Sequence, residues 1–257
     1  MTSRIPSLLA LALFLVLLAA PAAQAGAFLT QQRRNARVEA AWKAHHDDIR
    51  EAFRGAGAAW PPAGLFLRAF KAEGSVEFWA AAAKGARLVR VRSFPICAAS
   101  GVLGPKSRAG DGQVPEGFYS VDRFNPWSSY HLSLGLDYPN AVDRARAAGD
   151  PPGGDIFIHG NCVTIGCIPL EDGPIEWLYL AAVLARDGGQ RTLPVHVFPC
   201  RFEAASCKQA LASAAAGEPT LAAFWATLRV GYDAFVAHGQ PPRIRATATG
   251  YVVTPAR

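Results

Sequence analysis

The sequence predicts an α+β domain rich in β-structure, with helices flanking it at the N- and C-terminal ends. Three observations predict it. Helical spacing of apolar residues is concentrated near the two ends of the chain, and short runs with period-two alternation fill much of the middle. The stretch from Cys97 to Asp155, rich in Gly, Pro, Ser and Asn, suits a loop-heavy sheet. The 257 residues, 51% of them hydrophobic, supply ample core for one domain with appendages, and no internal repeat or long linker argues for two.

Residues 1–25 read as a secretory signal peptide: a positive charge at Arg4, an apolar run over residues 8–20, and the small-residue site Ala23-Gln24-Ala25 before Gly26. The run falls short of the about 20 apolar residues that a membrane span needs. A cleaved, periplasmic protein without stable membrane insertion is therefore expected. Residues 26–62 form an N-terminal helical segment, because Val38, Ala41, Trp42, His45, Ile49 and Phe53 fall three and four apart within residues 31–53. The adjacent His45 and His46 read as a solvated face, and Gly55-Ala56-Gly57 with Trp60-Pro61-Pro62 ends the helix.

Residues 63–200 form the main domain. Strand-like runs at 65–71, 75–82 and 86–94, with turns at Glu73-Gly74 and Lys84-Gly85, predict a meander. In LVRVRSF, Leu88, Arg90 and Arg92 are expected on one face and Val89 and Val91 on the other. Further strands are expected at 117–123, 130–136, 155–159 and 193–198, and a helix over 174–186 carrying Trp177, Leu178, Leu180 and Ala181. Residues 201–257 are a C-terminal appendage. Its helix, 220–238, is entered through Glu218-Pro219 and stopped by Gly239 and Pro241-Pro242, and a last strand over 243–253 returns to a sheet.

Lys and Arg number 26 against 20 Asp and Glu, a formal charge of +6 from which the signal peptide removes one Arg and no acid. The surplus is spread along the chain without basic clusters interleaved with aromatics. It reads as a solvated surface with some attraction for an anionic polymer or envelope, and no nucleic-acid partner is expected. Five cysteines in an exported chain allow disulfides, and the odd number leaves a thiol over.

That leftover thiol bears on IHGNCVTIGCIPLED, residues 158–172, where one histidine and two cysteines lie close together. Nucleophilic catalysis by cysteine needs a thiolate, a base within hydrogen-bond reach, and donors aimed at the oxyanion. Cys167 is the candidate nucleophile and His159, at the end of a strand, the candidate base. Gly166 permits a tight turn and close approach of a substrate backbone, and N–H groups near Gly166 and Cys167 are candidates for the oxyanion hole. Thr164 can orient the imidazole or fix the turn, with Asp155 or Asp172 doing either less directly. Cys162, with no Gly before it, is the rival nucleophile. A buried His beside a structural Cys is the plain alternative. A zinc site on His159, Cys162 and Cys167 lacks a fourth ligand, so no metal is expected.

Ile158-His159-Gly160 followed by Thr164-Ile165-Gly166-Cys167 resembles the active-site signature of the YkuD-type L,D-transpeptidases, His-Gly on one strand and then Ser/Thr-x-Gly-Cys. LGPKSRAGDGQVPEGFY, residues 103–119, is similar to the Gly-Pro-Lys, Gly-Asp and Thr-Pro-Glu-Gly-x-Tyr elements of the same family. YHLSLGLDYPNAVDRA, HGNCVTIGC and FWATLRVGYDAF extend the likeness to the YafK-like branch, known also for an amidase that detaches lipoprotein from peptidoglycan. The chain departs from the family in its short excursion between His-Gly and Gly-Cys, in Ile165 where a His is common, and in Pro169 where Arg or Asn is frequent.

The resemblance implies a YkuD-like catalytic domain of β-sandwich or barrel type over residues 63–200. In it, Cys167 attacks the carbonyl of the L-centre residue of a peptidoglycan stem peptide and forms a thioester. His159 takes the thiol proton and later activates the acceptor, an amine in a transpeptidase. Water as acceptor gives an amidase or hydrolase that trims cross-links or releases peptidoglycan-linked lipoprotein. No cofactor is implied. Gly160, Thr164 and Gly166 shape the site, Lys106 and Arg108 are candidates to meet stem carboxylates, and Tyr130 and Trp127 are candidates to line the groove. If Cys167 stays reduced, Cys97, Cys162, Cys200 and Cys207 allow three pairings; Cys200 with Cys207 is favoured by proximity and Cys97 with Cys162 remains. The rival reading, with a purely structural motif, makes the chain a non-catalytic murein-binding module. His131, His196 and His238 are expected to be structural.

Overall fold

The computed structural model describes residues 26–83, 85–147 and 149–256, so the expected signal peptide lies outside it. No helix among the described residues is long and apolar enough to cross a membrane. The N-terminal pattern forms two helices where one was expected, α1 (Ala27–Arg33) and α2 (Ala36–Ala56). Asn35 makes the break: its side chain accepts the Arg37 N–H and caps α2, a local bond that competes with a continuous helix. Gly57, in the left-handed region, closes α2.

Eight strands form one curled sheet in the order β3-β2-β1-β8-β4-β5-β6-β7. They are β1 (Phe66–Phe70), β2 (Ser75–Ala81), β3 (Leu88–Pro95), β4 (Gly117–Asn125), β5 (Ser133–Leu136), β6 (Phe157–His159), β7 (Ile168–Pro169) and β8 (Pro194–Phe198). The expected meander is present as the antiparallel pairs β1–β2 and β2–β3. Strand β1 also pairs in parallel with β8 and is buried along its whole length, as a strand covered on both faces must be. A register shift at Phe78/Trp79 overturns the expected alternation in β3. Arg90 reaches Glu77, whereas Arg92 reaches Asp48 on α2 and lies over Trp177, so the two arginines leave the strand on opposite faces.

One face of the sheet carries α2 and α4 (Asp172–Asp187). Helix α4 is buried from Trp177 to Ala185 because it lies between the N-terminal helices and the sheet, and Phe53 of α2 stacks on Trp177. The other face carries α6 (Pro219–His238), which buries Phe224, Trp225, Leu228, Tyr232 and Phe235. Fully burying side chains of this kind stabilises by about 1.5–3 kcal/mol each. His196 is enclosed between Phe66 and Phe118, and burial, reinforced by the Arg68 charge, pushes its pKa down to about 3. It is a structural neutral imidazole.

Helices α3 (Ala141–Arg146) and α5 (Ala205–Ala214) and strand β7 are too short to carry a readable period, although the Asn140–Asp143 capping box of α3 is a local signal. The last strand does not rejoin the sheet. It folds into a separate hairpin, β9 (Arg243–Thr247) with β10 (Gly250–Thr254), because the chain reverses at Ala248-Thr249 and Gly250 adopts a φ of 132°. Tyr251 holds that hairpin against Phe118, 4.8 Å between ring centres.

Candidate active site

The histidine and the cysteine of the central motif lie at the β6–β7 edge of the sheet, where Ile158 pairs with Ile168 and His159 with Pro169 in parallel. Parallel neighbours ordinarily need a crossover of about a dozen residues or more. Here residues 160–167 suffice. Four devices hold that short connection. Asn161 is left-handed at φ 63° and its N–H donates to Asp172 Oδ1 at 2.9 Å. Gly166 has φ 141°, and a Cβ there would lie 3.0 Å from the Gln113 carbonyl oxygen. Thr164 Oγ1 accepts the Gly166 N–H at 3.0 Å and donates to the Cys167 carbonyl at 2.8 Å. A Cys97–Cys162 disulfide ties the connection to the loop that follows β3.

The second disulfide joins Cys200 to Cys207 and leaves Cys167 as the free cysteine among the described residues. Cys162 is thereby removed as rival nucleophile and as zinc ligand. Of the two roles foreseen for Thr164, the structure has the one that fixes the turn. The Gly166 N–H is spent on Thr164, so it is not a free oxyanion donor as expected.

Cys167 immediately precedes β7, whose register pairs Ile158 with Ile168 and His159 with Pro169. The Phe157 N–H donates to Cys167 Sγ at 3.4 Å, and the thiol points to the Asp155 carbonyl at 3.6 Å. His159 is 2% exposed, and its Nδ1 lies 2.6 Å from the Gly160 carbonyl oxygen. A carbonyl only accepts, so Nδ1 carries the proton and Nε2 is the basic nitrogen. Tyr130 lies against the imidazole, with ring centres 4.9 Å apart. No direct Cys167–His159 hydrogen bond is made in this arrangement, and such pairs commonly tighten only around substrate.

Burial pushes the His159 pKa down, against the opposing Gly160 hydrogen bond. Burial likewise pushes the Cys167 thiol up, with the Phe157 N–H and Lys106 opposing and Asp155 adding to the rise. Both directions favour a neutral thiol beside a neutral imidazole. Alkylation of Cys167 by iodoacetamide is therefore expected to reach half its limiting rate above the ordinary thiol value of about 8.5. A midpoint below about 7 would mean a preformed thiolate–imidazolium pair.

The positive-φ residues other than Gly among the described residues are His131, Asp155 and Asn161, and all three border this pair. Such backbone costs of order 1–3 kcal/mol apiece and persists only where surrounding bonds over-determine it. Arg123 Nη1 donates to Asp155 Oδ1 at 2.8 Å, and two carboxylates one helical turn apart on α4 supply the bonds at the other two. Asp172 holds Asn161, and Glu176 holds His131 through Oε1 at 2.7 Å while its Oε2 takes His45 at 2.8 Å. His45 and His46 are consequently not a solvated face; His46 stacks on Trp42. Gly160 fits against the same support, since a Cβ would meet His131 Cβ at 2.8 Å and Asp172 Oδ1 at 2.6 Å. Glu176→Ala is expected to lower turnover about tenfold, roughly 1.4 kcal/mol of barrier, while the Cys167 alkylation rate holds. Equal loss of both would mark general destabilisation.

Lys106 is not available as the carboxylate-binding cation expected of it. It is buried with Nζ 2.5 Å from Asp111, and a stem carboxylate would have to displace that partner. Burial opposes ionisation of Asp111, yet Lys106 and the N–H groups of Ser107, Gln113 and Arg108 hold its pKa down to about 2. The Lys106–Asp111 pair shapes the loop whose Gln113 carbonyl abuts Gly166. Arg108 is exposed, and Tyr130 stands at the mouth. Ile165 is 86% exposed, two residues before Cys167. Sequence reading missed Gln113 and Glu176; only the spacing of Glu176 from Asp172 on one helix hinted at a shared face.

A profile of the L,D-transpeptidase catalytic domain, YkuD, matches residues 79–197. YafK of Escherichia coli (strain K12), provisionally named an L,D-transpeptidase, is 33% identical over 192 residues, 74% of this chain and 74% of its own. This chain belongs to the L,D-transpeptidase family. Its α+β architecture, a curled sheet flanked by helices, is the L,D-transpeptidase fold, and its relationship lies with the YafK-like branch. Pgp2 of Campylobacter jejuni, a helical cell shape determining protein, superposes with a TM-score of 0.42 at 17% identity over 71% of this chain and 72% of that one. L,D-transpeptidase 1 of Mycobacterium tuberculosis gives 0.30 at 16% identity over 52% and 61%. At that distance the superpositions carry no residue correspondence.

Proposed function

We propose that this L,D-transpeptidase family member is an exported, periplasmic acyltransferase acting on peptidoglycan stem peptides through a Cys167 thioester. The reading is supported by the free thiol of Cys167, which immediately precedes the strand paired with that of His159, and by an imidazole whose Nδ1 is fixed and whose Nε2 is left basic. Nε2 takes the thiol proton as Sγ bonds to the carbonyl carbon of the L-centre residue. Collapse of the tetrahedral adduct breaks the carbon–nitrogen bond, and the imidazolium returns the proton to the departing amine. An acceptor amine then gives a proton to Nε2 and attacks the thioester, and the departing thiolate takes that proton back from the imidazolium to restore the thiol. Water in the acceptor's place makes the same thioester a hydrolytic intermediate, and release of peptidoglycan-linked lipoprotein is the corresponding amidase outcome. The buried imidazole suits the base role, because its lowered pKa keeps it neutral at the pH where it must accept a proton.

Incubation of the mature protein with purified tetrapeptide-bearing peptidoglycan fragments is expected to add one acyl group to the intact mass, located at Cys167. New amide-linked dimers support the transpeptidase outcome, and shortened stems or released lipoprotein support water. A wild-type protein that forms no adduct and no product on any of these substrates would sink the enzymatic reading in favour of a murein-binding module.

A further inference from the structure

We propose that a cleft between the α1–α2 junction and the 126–131 loop is a second binding site, which holds the glycan-linked part of a murein strand while its stem peptide lies at Cys167. The inference rests on the function proposed above and adds a saccharide to the substrate that this site takes. The cleft has a volume of about 600 Å³, and Gln31, Arg34, Asn35, Arg37 and Trp127 line it without any acidic side chain. Volumes of that order suit a small organic ligand.

Trp127 is 77% exposed, which leaves its indole face open to a ligand in the cleft. A flat aromatic surface beside amide and guanidinium donors is the chemistry that takes the apolar face of a pyranose ring, its hydroxyls, and a nearby carboxylate. Arg34 is exposed and has no ion-pair partner among the described residues, so its charge is available to such a carboxylate. Arg37 connects this cleft to the reacting groups. Its Nη1 donates to the Ser128 carbonyl at 2.6 Å and the His131 carbonyl at 2.5 Å, and between those two residues Tyr130 lies against His159. Trp127 is three residues from Tyr130, at most about 11 Å of chain. A ligand that carries both a stem peptide and its saccharide can therefore reach both places.

An anionic bilayer also attracts Trp and Arg. The concave shape and the amide lining favour a polymer strand over a flat lipid surface.

Titration calorimetry on the full mature chain carrying Cys167→Ala, in which no thioester forms, tests the proposal. The probes are a murein disaccharide-tetrapeptide and the free tetrapeptide. The disaccharide form is expected to bind about tenfold or more tightly, and the added pair Arg34→Glu and Trp127→Ala should erase that advantage. Both positions are exposed, and a retained melting temperature verifies the fold. Equal binding of the two probes overturns the proposal, as does an advantage that survives the double change. So does a double change that abolishes binding to phosphatidylglycerol vesicles while the saccharide advantage persists. If the free tetrapeptide acylates wild-type Cys167 but gains nothing from the disaccharide, the second site alone fails. If neither probe binds or acylates, the reading of Cys167 fails with it.

Discussion

Cys167→Ala is expected to abolish the covalent adduct and to lower kcat/KM by about 10⁴-fold or more, because the thioester has no other nucleophile to form on. His159→Ala should be milder, about 10²–10⁴-fold, the usual contribution of a positioned general base. The two variants also separate two kinds of cysteine chemistry. Since both pKa directions favour a neutral pair, His159→Ala should leave the pH midpoint for Cys167 alkylation nearly in place. A large upward move of that midpoint would mean that the imidazolium stabilises a resting thiolate, and the base mechanism would have to be withdrawn. Full activity in Cys167→Ala would end the nucleophile assignment altogether.

Gly166→Ala is the second change with a large expected effect. Its φ of 141° is a conformation that L side chains rarely adopt, and the new Cβ would press on the Gln113 backbone at 3.0 Å, where no flexible side chain can yield. The strain is of order 1–3 kcal/mol. A displacement of the neighbouring thiol by about 1 Å would cost roughly 10²-fold in rate. Melting temperature and single-turnover acylation should therefore both fall. Gly173→Ala is the control, since a Cβ there meets nothing within 4 Å; its activity should stay within about twofold of wild type. Wild-type acylation in Gly166→Ala would show that the turn is not what positions Cys167.

The helices were legible where their period ran long enough, as in α2, α4 and α6, and so was the β1–β3 meander with its turn residues. The readings failed where a single local bond outweighed the period. Asn35 splits the N-terminal helix by capping, and the register shift at Phe78/Trp79 sends Arg90 and Arg92 to opposite faces. The candidate nucleophile and base could be named because His159-Gly160 and Gly166-Cys167 stand within one short stretch of chain, and the structure leaves Cys167 the free cysteine among the described residues. Lys106 was misread because its partner Asp111, five residues on, turns it inward.

Legible in the chain alone are the residue types that the chemistry requires, the leftover thiol implied by five cysteines, and the family to which they belong. Those are properties of local order along the chain. Only the packed fold shows which groups support the pair: Glu176 under His131, Asp172 under Asn161, and the Gln113 carbonyl against Gly166. These partners come from α4 and from the loops around β3 and β4, and they meet only because the sheet places β6 and β7 at its edge beneath α4. Sequence separation carries no record of that meeting, since strained backbone at a site is held by whichever surfaces the fold packs against it.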